Sequence, residues 1–450
     1  MALDTIPKQE GGKLKAVASG TLPSGQPVVV NADGTVSVIA ETAVSQAVGS
    51  NAVFETAATA NICAVYDAGS NKVVVVFVDD ADTPTSPKGK AVVGTVSGTS
   101  ISFGTTATWH ADSTNFVDAV YHAAAQKVVI VYYDGDNSGY GTSVVGTVSG
   151  TTISFGSTVV FNSANTSYPF LAYDSSAEKV VVAYRTTSDV GQAQVGTVTG
   201  TSISWGTAGT YNSGATGASI SCTYDSNADR IVVAYQDQGN SSYGTAAVGT
   251  VSGTSISFGS EAVFESATTS NLSIAYDSAS QKVVIAYRDG GNSNYGTAIV
   301  GTVSASSISF GSAQVFKTEN VVQSDLTENP TAGFVNLFYR DTTQSASARF
   351  ITATVSGTSL TFSSETTLST GDSSHLNGAF DSTSDKVVFV YQDKANSEYG
   401  TAVVVQNAYT STNLTSENYI GMSGGVVATE TQSEAIGTES TFETGDVYGS

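Results

Sequence analysis

The sequence predicts an all-β fold, a seven-bladed β-propeller with four-stranded blades, and three observations lead there. A unit of about 50 residues repeats along the chain. The Tyr or Phe that closes its first strand recurs at Tyr66, Tyr121, Tyr173, Tyr224, Tyr276 and Phe380, in steps of 55, 52, 51, 52 and 104 residues. The last step is two periods, so a diverged copy lies between. Each copy divides into four β-rich runs separated by turn residues. Those runs are apolar on both faces, so a sheet built from them must be covered on both sides, which radial stacking of small sheets achieves.

The clearest copy spans 266–316. Its first strand is Leu272–Asp277 and its second Lys282–Asp289, joined by the polar turn Ser278–Gln281. The third, Thr297–Ser304, follows the loop Gly290–Gly296, and the fourth, Ser307–Phe316, follows a tight turn that reads Ser-Gly-Thr-Ser in other copies. Gly and Ser give such turns the backbone freedom they demand. In the second strand Val283, Ile285 and Tyr287 point one way while Val284 and Ala286 point the other. Three links in the unit are short. The fourth strand reaches the next first strand through a looser polar segment such as Glu265–Asn271, expected to be the crossing between blades, which puts the first strand nearest the central channel.

First strands are expected near residues 62, 116, 169, 219, 271, 322 and 375, which gives seven blades. The sixth, about 317–368, is the diverged copy, with Phe334–Asp341 and Arg349–Val355 as its second and third strands. The seventh has runs at 375–381, 386–393 and 401–406 but no fourth. A lone fourth strand stands at the other end of the chain, where V-G-S-N-A-V-F (48–54) matches F-G-S-E-A-V-F (258–264). Ala47–Phe54 is therefore expected to complete the last blade and close the ring, making 47–407 the propeller. Residues 1–46 read as a small β-hairpin or attachment module, with Leu22–Ile39 turning about Asn-Ala-Asp-Gly. Residues 408–450 read as a linker and the start of a further repeat, because A-I-G-T-E-S-T-F-E-T (435–444) matches A-V-G-S-N-A-V-F-E-T (47–56).

Composition narrows the function. With 39 acidic against 17 basic residues the formal charge is −22, which repels phosphate and excludes nucleic acid as a partner. Met1–Glu41 holds no apolar run long enough for a signal peptide or a span, so a soluble product without membrane insertion is expected. Only 12% of residues are charged, leaving a Ser, Thr, Asn and Gly surface that suits an extracellular or virion-exposed protein. Cys63 and Cys222 fall in the first strands of blades one and four, too far apart to bridge, and read as buried apolar thiols. His110, His122 and His375 occupy unrelated repeat positions, so neither a zinc cluster nor a catalytic triad is expected, and no cofactor is implied.

Two constellations carry possible chemistry. Arg185, Arg288 and Arg340 share one position of the second strand, and propeller sialidases hold a substrate carboxylate with three arginines. Such enzymes also need a Tyr nucleophile and carry Asp-box turns, absent here, while other blades place Val78, Tyr133, Gln236 and Gln392 at the same position. The expectation is therefore no enzyme. The second constellation is the loop between second and third strands, which presents Asp134, Asn137 and Tyr140; Asp237, Asn240 and Tyr243; Asp289, Asn292 and Tyr295; and Asp393, Asn396 and Tyr399. Asp and Asn three apart offer oxygens to Ca²⁺, or cap the turn by bonding their own backbone; without an alternating D-x-D-x-D pattern no metal is assigned. The Tyr either stacks on a sugar ring or packs over the neighbouring blade. These loops emerge on one face and vary most in length, at 79–90, 186–191 and 341–349, as a recognition surface on a rigid scaffold does.

The repeat V-G-T-V-S-G-T-S-I-S-F-G, with I-A-Y-R-D-G-G-N-S-N-Y-G-T-A before it, resembles repeats in large virion proteins of marine tailed phages. Segments 19–36 and 413–421 resemble the flanks of such proteins. The resemblance covers most of the chain. It implies a structural protein exposed on the particle surface, a tail-fibre or adhesin propeller that binds a host-surface glycan or protein. Its partners would be other virion proteins and the host receptor, with a homo-oligomer as a further expectation. The alternatives are a capsid decoration or head fibre docked through 1–46, and a sialidase-like glycoside hydrolase.

Overall fold

The computed structural model describes residues 13–22, 27–80, 87–412, 419–423 and 439–443. They form two compact units, Ala47–Asn407 and the described parts of Met1–Gln46 together with Ala408–Ser450. Both are built of antiparallel strands. In the larger unit the second strands Lys72–Asp79, Lys127–Asp134, Lys179–Thr186, Arg230–Asp237, Lys282–Asp289, Phe334–Asp341 and Lys386–Asp393 each pair with a first strand on one side and a third on the other. Their runs of Val, Ile and Ala are wholly buried on both faces, as at Val73–Val76 and Val283–Ala286. Third strands such as Tyr243–Ser252 then pair with a fourth strand made of two pieces, Ser255–Phe258 and the start of Ala262–Asp277. The result is a β-propeller-like all-β architecture; among the described residues the only helix is a pair of 3-10 turns, Gln238–Asn240 and Lys394–Asn396.

One expectation is corrected. The polar segment Glu265–Asn271 is not a loose crossing but the middle of one continuous strand of 16 residues, Ala262–Asp277. Its first part pairs with the third strand of one repeat and its last part with the second strand of the next. Ala52–Asp67, Val159–Asp174 and Gln314–Asn329 are built alike. Thr and Ser hold an extended backbone well, and their polarity reflects exposure at the end of the unit rather than a turn. Against the second strand, the register of each shifts at one point, between Ser270 and Ser273 in this copy, around a residue in the left-handed region, Asn271 at φ 50°.

The orphan strand at the N-terminal side pairs where the seventh repeat lacks its fourth. Ala47 and Val48 face Gln406 and Val405, and Ala52–Ala58 run along Tyr399–Ala402. Phe54 packs against Phe77 and Phe103 of the first repeat at 5.2 and 5.7 Å, and leaves no room for a Cβ at Gly400. Between repeats the core falls into separate clusters, each shared by two neighbours; one of them joins Val388, Val390, Ala402 and Val404 of the seventh repeat to Val73, Val75 and Phe77 of the first.

The smaller unit departs from the linker expected over 408–450. Tyr409–Thr412 pairs with Glu41–Val44, Tyr419–Ser423 with Pro27–Val30, and Glu439–Glu443 with Lys13–Val17. Residues 435–438 lie outside the described residues. The hairpin expected at Leu22–Ile39 is present as Pro27–Val30 against Val36–Val38, its turn held by Asn31 Nδ2 donating to Thr35 Oγ1 at 2.9 Å.

Candidate functional site

Strands alternate in direction, so the starts of the first strands and the loops between second and third strands lie at the same end of the larger unit. In six of the seven first strands the register shift forms a bulge there around a left-handed residue, Asn61, Phe116, Tyr168, Asn271, Gln323 or His375, with φ between 45 and 54°. Asn tolerates this conformation, whereas Phe, Tyr, Gln and His adopt it only at a cost of about 1–2 kcal/mol each. Bulges re-aim side chains, and here they line one cavity of ≈ 310 Å³ to which every first strand contributes. Its wall presents Asn271, Gln323, His375 and Asn377 beside the half-buried rings of Tyr168 and Phe170.

One layer deeper, three residues before each strand-closing Tyr, the wall carries Cys63, Asp118, Phe170, Ser221, Ser273, Asp325 and Asn377. Three of these side chains accept a backbone N–H from the next first strand. Asp118 Oδ2 takes Leu171 N at 2.7 Å, Asp325 Oδ2 takes Gly378 N at 2.9 Å, and Asn377 Oδ1 takes Ala64 N at 2.7 Å. Inner-edge N–H groups would otherwise be unpaired. Burial in this wall pushes Asp118 up to about 6 and Asp325 up to about 7, the charge of Asp118 adding to the second shift. Burial, with Lys394 and Arg340 nearby, lowers His375 to about 4 and keeps it neutral. Burial also raises the Cys63 thiol, which donates to Asp118 Oδ1 at 3.2 Å. Cys63 and Cys222 are both buried and free.

The loop residues singled out from sequence divide by role. Asp134, Asp237 and Asp289 are buried and cap their own turns, accepting the N–H of Asn137, Asn240 and Asn292 at 3.2, 3.2 and 3.1 Å. Asp393 has the same extended backbone before its turn and is half-buried. Asn137, Asn240, Asn292 and Asn396 are exposed on the loop tips, and Tyr140, Tyr243, Tyr295 and Tyr399 are half-buried at the starts of third strands. Residues 81–86 of the long loop 79–90 lie outside the described residues.

The three arginines do not converge. Arg185 donates to Thr216 O at 3.4 Å and lies over the Tyr168 ring, Arg288 donates to Asn320 Oδ1 at 2.9 Å, and Arg340 holds Asp372 Oδ1 at 2.6 Å. Gln236 and Gln392, at the same repeat position, donate to Thr269 O and Thr59 O, each at 2.6 Å or less. This position ties each repeat to the next rather than gathering a carboxylate clamp. At the opposite end the closing tyrosines do similar work: Tyr121 Oη accepts Gly69 N at 2.9 Å, and Tyr173 Oη accepts Ala124 N at 3.2 Å.

Sequence reasoning missed Asp118, Asp325 and Asn377. Aligning the repeats on their closing Tyr would have found them, as polar departures at one inward position.

No protein-family model matches the chain, and no curated protein matches it in sequence. Among solved structures it is similar to the BP39L lectin of Burkholderia pseudomallei, at 10% identity and TM-score 0.59, over 79% of this chain and 98% of that one. It also aligns with a protein of unknown function from Dyadobacter fermentans, at 12% identity and TM-score 0.48 over 81% and 99%, and with the SapL1 lectin in complex with alpha methyl fucoside, at 13% identity and TM-score 0.42 over 67% and 94%. The first of these likenesses supports the shared fold; identities this low carry nothing about residues.

Proposed function

We propose that Ala47–Asn407 is a carbohydrate-binding propeller without catalytic machinery, in which seven four-stranded blades close as a ring and a glycan is held at the channel mouth and the loops around it. The observation that carries this reading is the cavity itself. Its volume lies at the small end of ligand sites, which run about 300–1,000 Å³. Amide, hydroxyl and carboxylate groups on its wall answer the hydroxyls of a sugar, while the rings of Tyr168 and Phe170 offer a face to its C–H groups. That a protein with this fold is described as a lectin is consistent with the reading. Closure is supported by contacts that repeat between neighbours and recur between the seventh and first repeats: Tyr66 Oη on Thr383 Oγ1 at 2.6 Å, Gln392 on Thr59 O, and Phe54 on Phe77.

We further read the protein as an exposed virion component, a tail-fibre adhesin whose glycan belongs to a host surface, on the wording of its repeats. A capsid decoration is the alternative within structural proteins. Purified full-length chain incubated with immobilised host polysaccharide separates the readings. Saturable retention without release of reducing sugar, lost in Tyr168→Ala, is the expected result. Release of sugar would make the protein a glycosidase, and no retention would leave decoration.

A further inference from the structure

We propose that the first and second repeats share a zinc site formed by His110, Asp134 and Asp136, separate from the cavity assigned to the glycan. His110 ends the outer strand Ala107–His110 of the first repeat, and the two aspartates begin the loop after Lys127–Asp134. Nε2 of His110 lies 3.4 Å from Oδ1 of Asp134 and 3.8 Å from Oδ2 of Asp136, and the three ligand atoms all lie within 4.8 Å of one another. Ligand atoms around a tetrahedral zinc with bonds of about 2.0–2.1 Å stand about 3.3–3.4 Å apart, so His110 and Asp134 already have that spacing and the exposed Asp136 carboxylate moves inward to complete it. Nε2 of His110 is itself buried and has no hydrogen-bond partner. The phenol of Tyr132, wholly buried with its ring 5.2 Å from the imidazole, also lacks one. At the equivalent place in the fifth repeat the pair is satisfied, because Tyr287 donates to Glu265 at 3.1 Å.

The repeats supply an internal comparison. At the position of His110 the others carry Glu55, Asn162, Asn212, Glu265, Lys317 and Ser369. At that of Asp136 they carry Ser188, Gly239, Gly291, Thr343 and Ala395. The outer strand of the first repeat departs from its fellows at one place and the loop of the second at the other, and the two departures meet at one carboxylate. An ion pair between His110 and Asp134 would account for the first but not for the second. The outer shell is built as metal sites require: Thr142 Oγ1 donates to Asp134 Oδ2 at 3.3 Å and Asn137 N to Oδ1 at 3.2 Å, fixing the carboxylate. An imidazole with two carboxylates selects zinc over Ca²⁺ or Mg²⁺, which take oxygen alone, and leaves a fourth position open to water. Bound metal would pin the outer strand of the first repeat to the loop of the second.

The test uses the full chain, stripped with chelator and dialysed against micromolar ZnCl₂. The expected result is one zinc per chain and a rise in Tm that scales with free zinc. His110→Asn and Asp136→Gly place residues that other repeats carry at these positions, so both variants should melt like the metal-free wild type while binding zinc at least tenfold more weakly. His122→Gln should bind as the wild type does. The proposal is overturned if the wild-type chain binds no stoichiometric zinc, if Ca²⁺ competes equally, or if His110→Asn leaves binding unchanged. The first two readings need no variant to fold.

Discussion

Asp118 and Asp325 hold the inner edges of neighbouring first strands together, yet each does so as a carboxylate in a site that disfavours its charge. Their folded values of about 6 and about 7 stand above the unfolded value of about 3.9, so on acidification the folded state takes up protons first. Stability from this pair is therefore lowest above pH 7, rises as pH falls through the folded values, and levels off below about 4. Asn377 does the same structural work as an amide, which makes Asn a fair substitute. The double variant Asp118→Asn, Asp325→Asn should gain stability at pH 7.5 relative to wild type, by on the order of 1 kcal/mol per site, and the gain should vanish at pH 4. Urea unfolding at both pH values checks this; an equal difference at both would refute the assignment. At this scale the sequence is half legible. The caps at Asp134, Asp237 and Asp289 follow from turn chemistry that any Asp-x-x-Asn loop suggests, whereas the inward aspartates emerge only when the repeats are aligned on their closing residue, because within a single copy an Asp in a polar strand start looks like a surface one. His110 was hidden for a similar reason, since its partners lie in the next repeat, 24 and 26 residues along the chain.

At the scale of strands, the element proposed to close the ring, Ala47–Phe54, is the most exposed to test. Gly49 in that strand packs so tightly that a Cβ would overlap Thr99 O, and Gly104, Gly156, Gly206, Gly259 and Gly311 meet the next repeat's third-to-fourth hairpin in the same way. The sixth repeat carries Ser363 instead, and its neighbour is the one repeat whose third and fourth strands are not joined by a hairpin. A single glycine pattern thus records in sequence both the close approach and the split repeat. What the sequence could not show was that in four copies the outer and inner strands run on without a break, because polar residues look alike in a loop and in a solvent-facing strand. Removing Met1–Thr56 deletes the pairing with Tyr399–Gln406 and the Phe54 ring, leaving an apolar open edge. That truncation should lose stability and self-associate, by light scattering and thermal melting, whereas removing Thr410–Ser450 should leave the melting of Ala47–Asn407 intact. A monomeric Met1–Thr56 truncation with unchanged Tm would argue against closure by this strand.

For the molecule as a whole, charge and valency decide how a site of this kind can act. The cavity offers few aromatic anchors and the loop tips are polar, so on the proposed reading one copy should bind a glycan weakly. Useful affinity then comes from many copies displayed together, where each bound site raises the effective concentration at the next. The formal charge of −22 opposes approach to an anionic surface, and that repulsion reaches about 10 Å at 0.1 M salt but only about 3 Å at 1 M. Adsorption of the clustered protein to anionic polysaccharide should therefore increase with NaCl over this range, opposite to the behaviour of a basic adhesin. Bead-coupled and free protein compared at low and high salt give the measurement. Tight binding by the free chain at low salt would exclude this mode. So would binding untouched when Asn137, Asn240, Asn292 and Asn396 are changed to Ala together with Tyr168, since those substitutions strip both the loop tips and the cavity wall from the face on which the whole reading depends.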